Sequence, residues 1–108
     1  MCHFGNPWLM DAAAVIEKNE NVATDLSGLL VGKVDIPALM KKQRLYMDAL
    51  KTWISYCDNY EKFMFGTDWP LANYGDYIEL TKWLIPEEYQ AKVFAENAER
   101  LFHLENVW

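Results

Sequence analysis

Long apolar runs, linkers and repeats are all missing from this chain. No stretch approaches the roughly 18 consecutive apolar residues that span a bilayer, and nothing at the start reads as a secretory leader. Basic residues are in short supply. Ten Lys and Arg against sixteen Asp and Glu leave a net charge of −6, which argues against a nucleic-acid phosphate binder, since that needs a basic face. Cysteine is scarce as well. The two present fit no metal-knuckle or disulfide framework, so reduced thiols and a cytoplasmic setting are expected.

Apolar and aromatic residues, by contrast, are plentiful. Apolar types make up 52% of the 108 residues, with five Trp, six Tyr and five Phe. That excludes intrinsic disorder, which requires low hydrophobicity. It also exceeds what a domain this small easily hides, because such a domain buries only about two thirds of its unfolded surface.

The punctuation falls in a regular alternation. Residues 1–4 are apolar and run into the turn Gly5-Asn6-Pro7. From residue 8 to about 18, Leu9, Ala12, Ala13 and Ile16 recur at helical steps. Residues 22–27 read as a strand closed by Gly28, and 29–36 as loop. A long helix is expected over 38–60, with Tyr46, Leu50, Trp53, Cys57 and Tyr60 as its stripe and a break near Lys41-Lys42-Gln43-Arg44. Residues 62–67 form another short strand before Asp68 and the Trp69-Pro70 turn. Asp76 suits an N-cap. Pro86-Glu87-Glu88 suits a further helix start, running to about residue 103.

The order is strand–helix three times over, which predicts an α/β fold with parallel pairing through helical crossovers. The first strand is short, and three parallel strands leave two open edges. The expectation is a fragment of a doubly wound sheet or a (β/α)8 barrel, beginning partway through a strand.

In both parent folds, functional groups lie just past the carboxyl ends of the strands. His3, the Ser27-Gly28 pair and Asp68 hold such positions. A histidine there suits a metal ligand or general base, or a hydrogen-bonded turn residue. Asp68 follows the apolar run Phe63-Met64-Phe65; it reads as a carboxylate needing a partner or metal, or as a turn residue. Asp25 reads as a hydrogen-bonded structural acid that could also reach the site, and Cys57 as a buried small hydrophobe. Trp8 and Trp69 are candidates to line a pocket mouth, with core packing as the alternative.

At these residues the sequence resembles a known family. His3-Phe4-Gly5-Asn6-Pro7-Trp8, Asp11-Ala12, Lys18-Asn19-Glu20-Asn21-Val22, Asp25-Leu26-Ser27-Gly28, Phe65-Gly66-Thr67-Asp68-Trp69-Pro70 and Asn97-Ala98-Glu99-Arg100-Leu101-Phe102 appear in the order found late in the amidohydrolase superfamily. More narrowly, they resemble its amidohydrolase-related branch, which also contains metal-dependent decarboxylases.

The resemblance implies a (β/α)8 barrel, of which this chain would be units six to eight. Residues 1–104 would form the partial barrel domain and 105–108 a C-terminal tail. It further implies that Asp68 is a last-strand metal ligand, or a base bonded to the metal's water. His3 would be the sixth-strand histidine that polarises substrate or shuttles a proton. From their places close behind strand-end residues, not from the resemblance, Trp8 and Trp69 are read as substrate-binding. The activity implied is attack of a water activated by a divalent metal, zinc first, on an amide, ester or lactone of a small molecule. A decarboxylase fragment is the alternative within the family, and a non-catalytic α/β module pairing its open edges is the alternative outside it. The family's His-x-His, fourth-strand ligand and fifth-strand histidine have no counterpart here. One carboxylate cannot hold catalytic zinc, which usually takes three protein ligands. The chain alone is therefore expected to be inactive, without tightly bound metal, and to be a homo-oligomer with neither nucleic-acid nor membrane partners.

Overall fold

Two short strands meet in parallel at the centre of the chain: β1 (Thr24–Asp25) beside β2 (Phe63–Met64), with Thr24 opposite Phe63 and Asp25 opposite Met64. The computed structural model describes residues 1–104, so the predicted tail at 105–108 lies outside the described residues. The Leu26 amide continues the ladder to the Met64 carbonyl at 2.9 Å. Both strands are shorter than the sequence predicts. Beyond Leu26 the chain turns at Ser27-Gly28, where Gly28 has φ 66°, and the Phe65 amide bonds to the Val93 carbonyl instead of a strand.

The expected first strand is not formed among the described residues. Met1 does flank β1 in parallel fashion: its ammonium donates to the Ala23 carbonyl at 2.9 Å and its carbonyl accepts from the Asp25 amide at 3.3 Å. Extended geometry ends at Cys2, and His3–Gly5 form a tight 3-10 turn with φ of 58°, 48° and 64° in succession. The result is a mixed helix–strand fold with one parallel two-stranded sheet among the described residues. The closed barrel is not part of what it shows.

The first helix, α1 (Leu9–Lys18), buries Leu9, Ala12, Ala13 and Ile16, the predicted stripe. The predicted long helix divides at Gln43 (φ −132°, ψ 41°) into α2 (Ile36–Lys42) and α3 (Arg44–Cys57). Asp35 caps α2 by accepting from the Ala38 amide, with Pro37 in the first turn. The buried face of α3 is Met47, Leu50, Ile54 and Cys57; Tyr46 and Trp53 sit at its margin. Tyr60 falls outside that face, because Asp58 takes a left-handed conformation (φ 49°) and ends the helix.

α1 packs on α3, and the Cys57 thiol reaches the Ala13 carbonyl at 3.6 Å. Each Leu or Ile fully buried in this seam contributes about 1.5–3 kcal/mol. Lys62 then caps α1 from β2's side, donating to the Ile16 and Asn19 carbonyls at 2.6 and 2.8 Å. A cation at a helix C-terminus answers both the unpaired carbonyls and the dipole.

Next comes α4 (Tyr74–Leu84). Its cap is Asn73 rather than the expected Asp76: Asn73 Oδ1 accepts from the Asp76 amide, and the Asp76 carboxylate is occupied by the Val34 amide. α5 (Glu87–Ala91) and α6 (Asn97–Leu101) are joined through a π-turn at Lys92–Glu96. This widened turn shifts the helical ladder, and the Val93 carbonyl accepts from Phe65. Asn97, wholly buried, donates to the Tyr60 and Phe63 carbonyls at 2.7 and 2.8 Å. The closing helix is therefore fastened to β2 by side chain and backbone together.

Burial pushes the Cys57 thiol up to about 11 and the Tyr46 hydroxyl up to about 12. Both groups are protonated in the fold, while the unfolded chain ionises them earlier. Their stabilisation is thus complete below the ordinary thiol range and is lost as pH rises through about 9 to 11, then toward 12. The urea midpoint is expected to hold up to about pH 8 and then decline, with the decline reduced in Cys57→Ala. A midpoint flat across that range would contradict the assignment.

Candidate functional site

At the end of β1, one oxygen collects three donors. Asp25 Oδ1 accepts from the His3 amide at 3.2 Å, the Ser27 amide at 3.0 Å and the Ser27 hydroxyl through a very short contact. The Ser27 amide bond is an Asx turn, the local geometry that Asp favours. Beside it, Thr24 Oγ1 accepts from the Phe4 amide at 3.1 Å. The turn His3–Gly5 is therefore tied to β1 at two successive residues. Asp25 is the structural acid expected from sequence, and it also organises the site.

The His3 ring is held through one nitrogen. Nδ1 lies 2.9 Å from both the Ser27 carbonyl and the Ser27 hydroxyl oxygen. A carbonyl only accepts, and the Ser27 hydroxyl proton is directed to Asp25. Nδ1 therefore carries a proton, and in the neutral ring Nε2 holds the free lone pair. Asp25 Oδ1 stands 3.9 Å from Nδ1, and the His3 side chain is 40% exposed. Gly28 makes room for the ring: a Cβ there would lie 2.3 Å from Nδ1, and the φ of 66° disfavours any other residue.

Asp68 also has a left-handed backbone, with φ 57°. His3 shares this conformation, as do Phe4, Asp58 and His103, and Asp and His adopt it more readily than most residues. The Asp68 side chain is part-buried, and among the described residues no hydrogen-bond donor reaches its carboxylate. Gly66 brings the two strand ends close, since a Cβ on it would lie 3.1 Å from the Ser27 Cβ. The two carboxylates also act on one group. The Tyr77 hydroxyl is pushed above its usual range, first by burial and then by the charges of Asp25 and Asp68. The strand ends thus bring His3, Asp25 and Ser27 into contact and set Asp68 in the same electrostatic neighbourhood.

The two tryptophans go elsewhere. Trp8 is 68% exposed and borders an apolar hollow of about 240 Å³ with Met1 and Val15. Trp69 is 75% exposed and lines a separate open groove of about 810 Å³ with Lys33, Tyr74 and Asp76. They do not face a common pocket. Among the described residues no three His, Cys, Asp or Glu side chains are placed to share a metal ion. Asp68 offers one ligand where a catalytic zinc site needs about three, so these residues by themselves do not fit a metal centre.

Tyr77 is the member that sequence reasoning missed. As a buried aromatic at helical spacing it looks like core, and no local pattern reveals a hydroxyl that reaches another element. Replacing Gly28 by Ala is expected to drive the His3 ring from its seat. The fold should lose about 1–3 kcal/mol from backbone strain, and the ring ¹⁵N shifts should lose their Nδ1–H pattern. Unchanged shifts in a folded Gly28→Ala protein would contradict this packing.

Comparison with known proteins gives one match. The amidohydrolase family's sequence profile (Amidohydro_2) covers residues 1–104. No curated protein and no solved structure matches the chain significantly.

Proposed function

Because the chain belongs to the amidohydrolase family, we propose that it carries the acid–base part of a hydrolase centre acting on an amide, ester or lactone of a small molecule. The observation that supports this most is the His3 ring, anchored at Nδ1 by Ser27 so that Nε2 is the nitrogen free to take or give a proton. An imidazole fixed in one tautomer by its other nitrogen is the arrangement that general base catalysis uses. Asp68, whose carboxylate no hydrogen-bond donor reaches among the described residues, supplies the second group, as a base or as one metal ligand.

In this reading the divalent metal, zinc by the family resemblance, belongs to a site completed by residues outside these 108. The chain alone then neither retains the metal nor turns over substrate. Titration with Zn²⁺ is expected to show no tight one-to-one binding, and a panel of activated amides, esters and lactones to show no turnover above buffer. Stoichiometric zinc that survives dialysis, or hydrolysis that disappears in Asp68→Asn, would overturn this division of the site.

Exposed apolar side chains support an assembled state. Leu45 is 88% exposed, and Trp8, Trp69 and Leu71 are each more than half exposed. Covering one Leu or Phe contributes about 1.5–3 kcal/mol. A homo-oligomer is the partner we propose, and sedimentation at micromolar concentration is expected to show a dimer or larger; a sharp monomer boundary would count against it. No helix among the described residues is long and apolar enough to cross a membrane. The free thiols of Cys2 and Cys57 favour a cytoplasmic setting.

A further inference from the structure

The turn that carries Ser27 and Gly28 is closed from outside by another helix. Its ends are the Leu26 carbonyl and the Leu29 amide, and with Gly28 left-handed at the third position the usual closure is a direct bond between them. Here the hydroxyl of Tyr77, from α4, serves both ends. It donates to the Leu26 carbonyl at 2.7 Å and accepts from the Leu29 amide at 3.0 Å. Tyr77 is wholly buried, so this hydroxyl has no water to fall back on, and neither do the two backbone groups if it is removed. The groups that meet the His3 ring directly lie between those two ends: the Ser27 carbonyl and hydroxyl at Nδ1, and the Gly28 surface against which the ring lies. Asp25, just before the turn, holds the His3 amide and the Ser27 hydroxyl.

We infer that Tyr77 is a positioning residue for His3, acting through the turn at 26–29. Its hydroxyl fixes the distance between the turn's ends. The turn in turn fixes where the Ser27 carbonyl points and hence which ring nitrogen is free. This rests on assigning His3 to the chemistry, but its test needs neither metal nor substrate, so a chain that never shows turnover leaves the result standing.

Tyr77→Phe keeps the ring and deletes only the hydroxyl. In protein labelled with ¹⁵N-histidine, the His3 Nδ1 proton is expected to exchange with solvent at least about tenfold faster, the factor matching loss of one hydrogen bond. The separation between the two ring ¹⁵N shifts should shrink as the tautomers mix. Asn97→Ala separates this from general loosening: it deletes one buried and one part-buried hydrogen bond between α6 and the β2 region, and should lower stability while leaving the His3 signals in place. A folded Tyr77→Phe protein with wild-type His3 shifts and exchange would overturn the inference. So would Asn97→Ala moving those signals equally. Where Tyr77→Phe does not fold, the wild-type protein decides. The His3 Nδ1 proton and the Leu29 amide should exchange with the same urea dependence, and independent dependences would overturn the coupling.

Discussion

The structure depends on one carboxylate oxygen. Asp25 Oδ1 receives the His3 amide, the Ser27 amide and the Ser27 hydroxyl, and hydrogen bonds to a charged acceptor contribute about 1.5–3 kcal/mol each. That convergence joins a turn near the chain's start to the end of the first central strand. It also sets the direction of the Ser27 hydroxyl, and through it the tautomer of His3. A structural interaction thereby decides a chemical property two bonds away.

Around this point the helices act as clamps on backbone polar groups. Lys62 answers the carbonyls at the end of α1, Asn97 answers those around β2, and the Tyr46 hydroxyl takes the Leu29 carbonyl at 2.7 Å. With strands this short, the sheet ladder satisfies few groups, and long polar side chains from neighbouring elements do the remainder. The same shortness leaves apolar surface uncovered. Trp8, Met10 and Val15 project from the outer side of α1, and Trp69, Leu71 and Tyr74 from the groove after Asp68.

His3 and Asp68 each take a left-handed backbone, as do Phe4, Asp58 and His103, a conformation that Asp and His adopt more readily than most residues. The fold holds both residues there, and among the described residues no hydrogen bond reaches Nε2 of the one or the carboxylate of the other. Among the described residues, no three His, Cys, Asp or Glu side chains stand together to hold a metal ion, and one carboxylate falls short of the three protein ligands that a catalytic zinc usually takes.

Much of this was legible in the sequence. Apolar spacing gave the buried face of α1, the order of elements gave parallel pairing, and Ser27-Gly28 turns the chain just past β1 as expected. Local chemistry suffices there, because periodicity and turn residues act over a few positions. The sequence misassigned the cap of α4, since Asn73 and Asp76 are both good caps and only the demand of the Val34 amide decides between them. It extended both strands, since the competing partner of Phe65 is a carbonyl freed by a distant π-turn. It gave Tyr77 no part in the site, because the task of its hydroxyl depends on a turn some fifty positions earlier. The sequence determined the apolar face of α1 and the order of helices and parallel strands. Tertiary structure alone decided which nitrogen of His3 is free and which hydroxyl keeps it so, because those choices are made by hydrogen bonds between residues that share no local pattern.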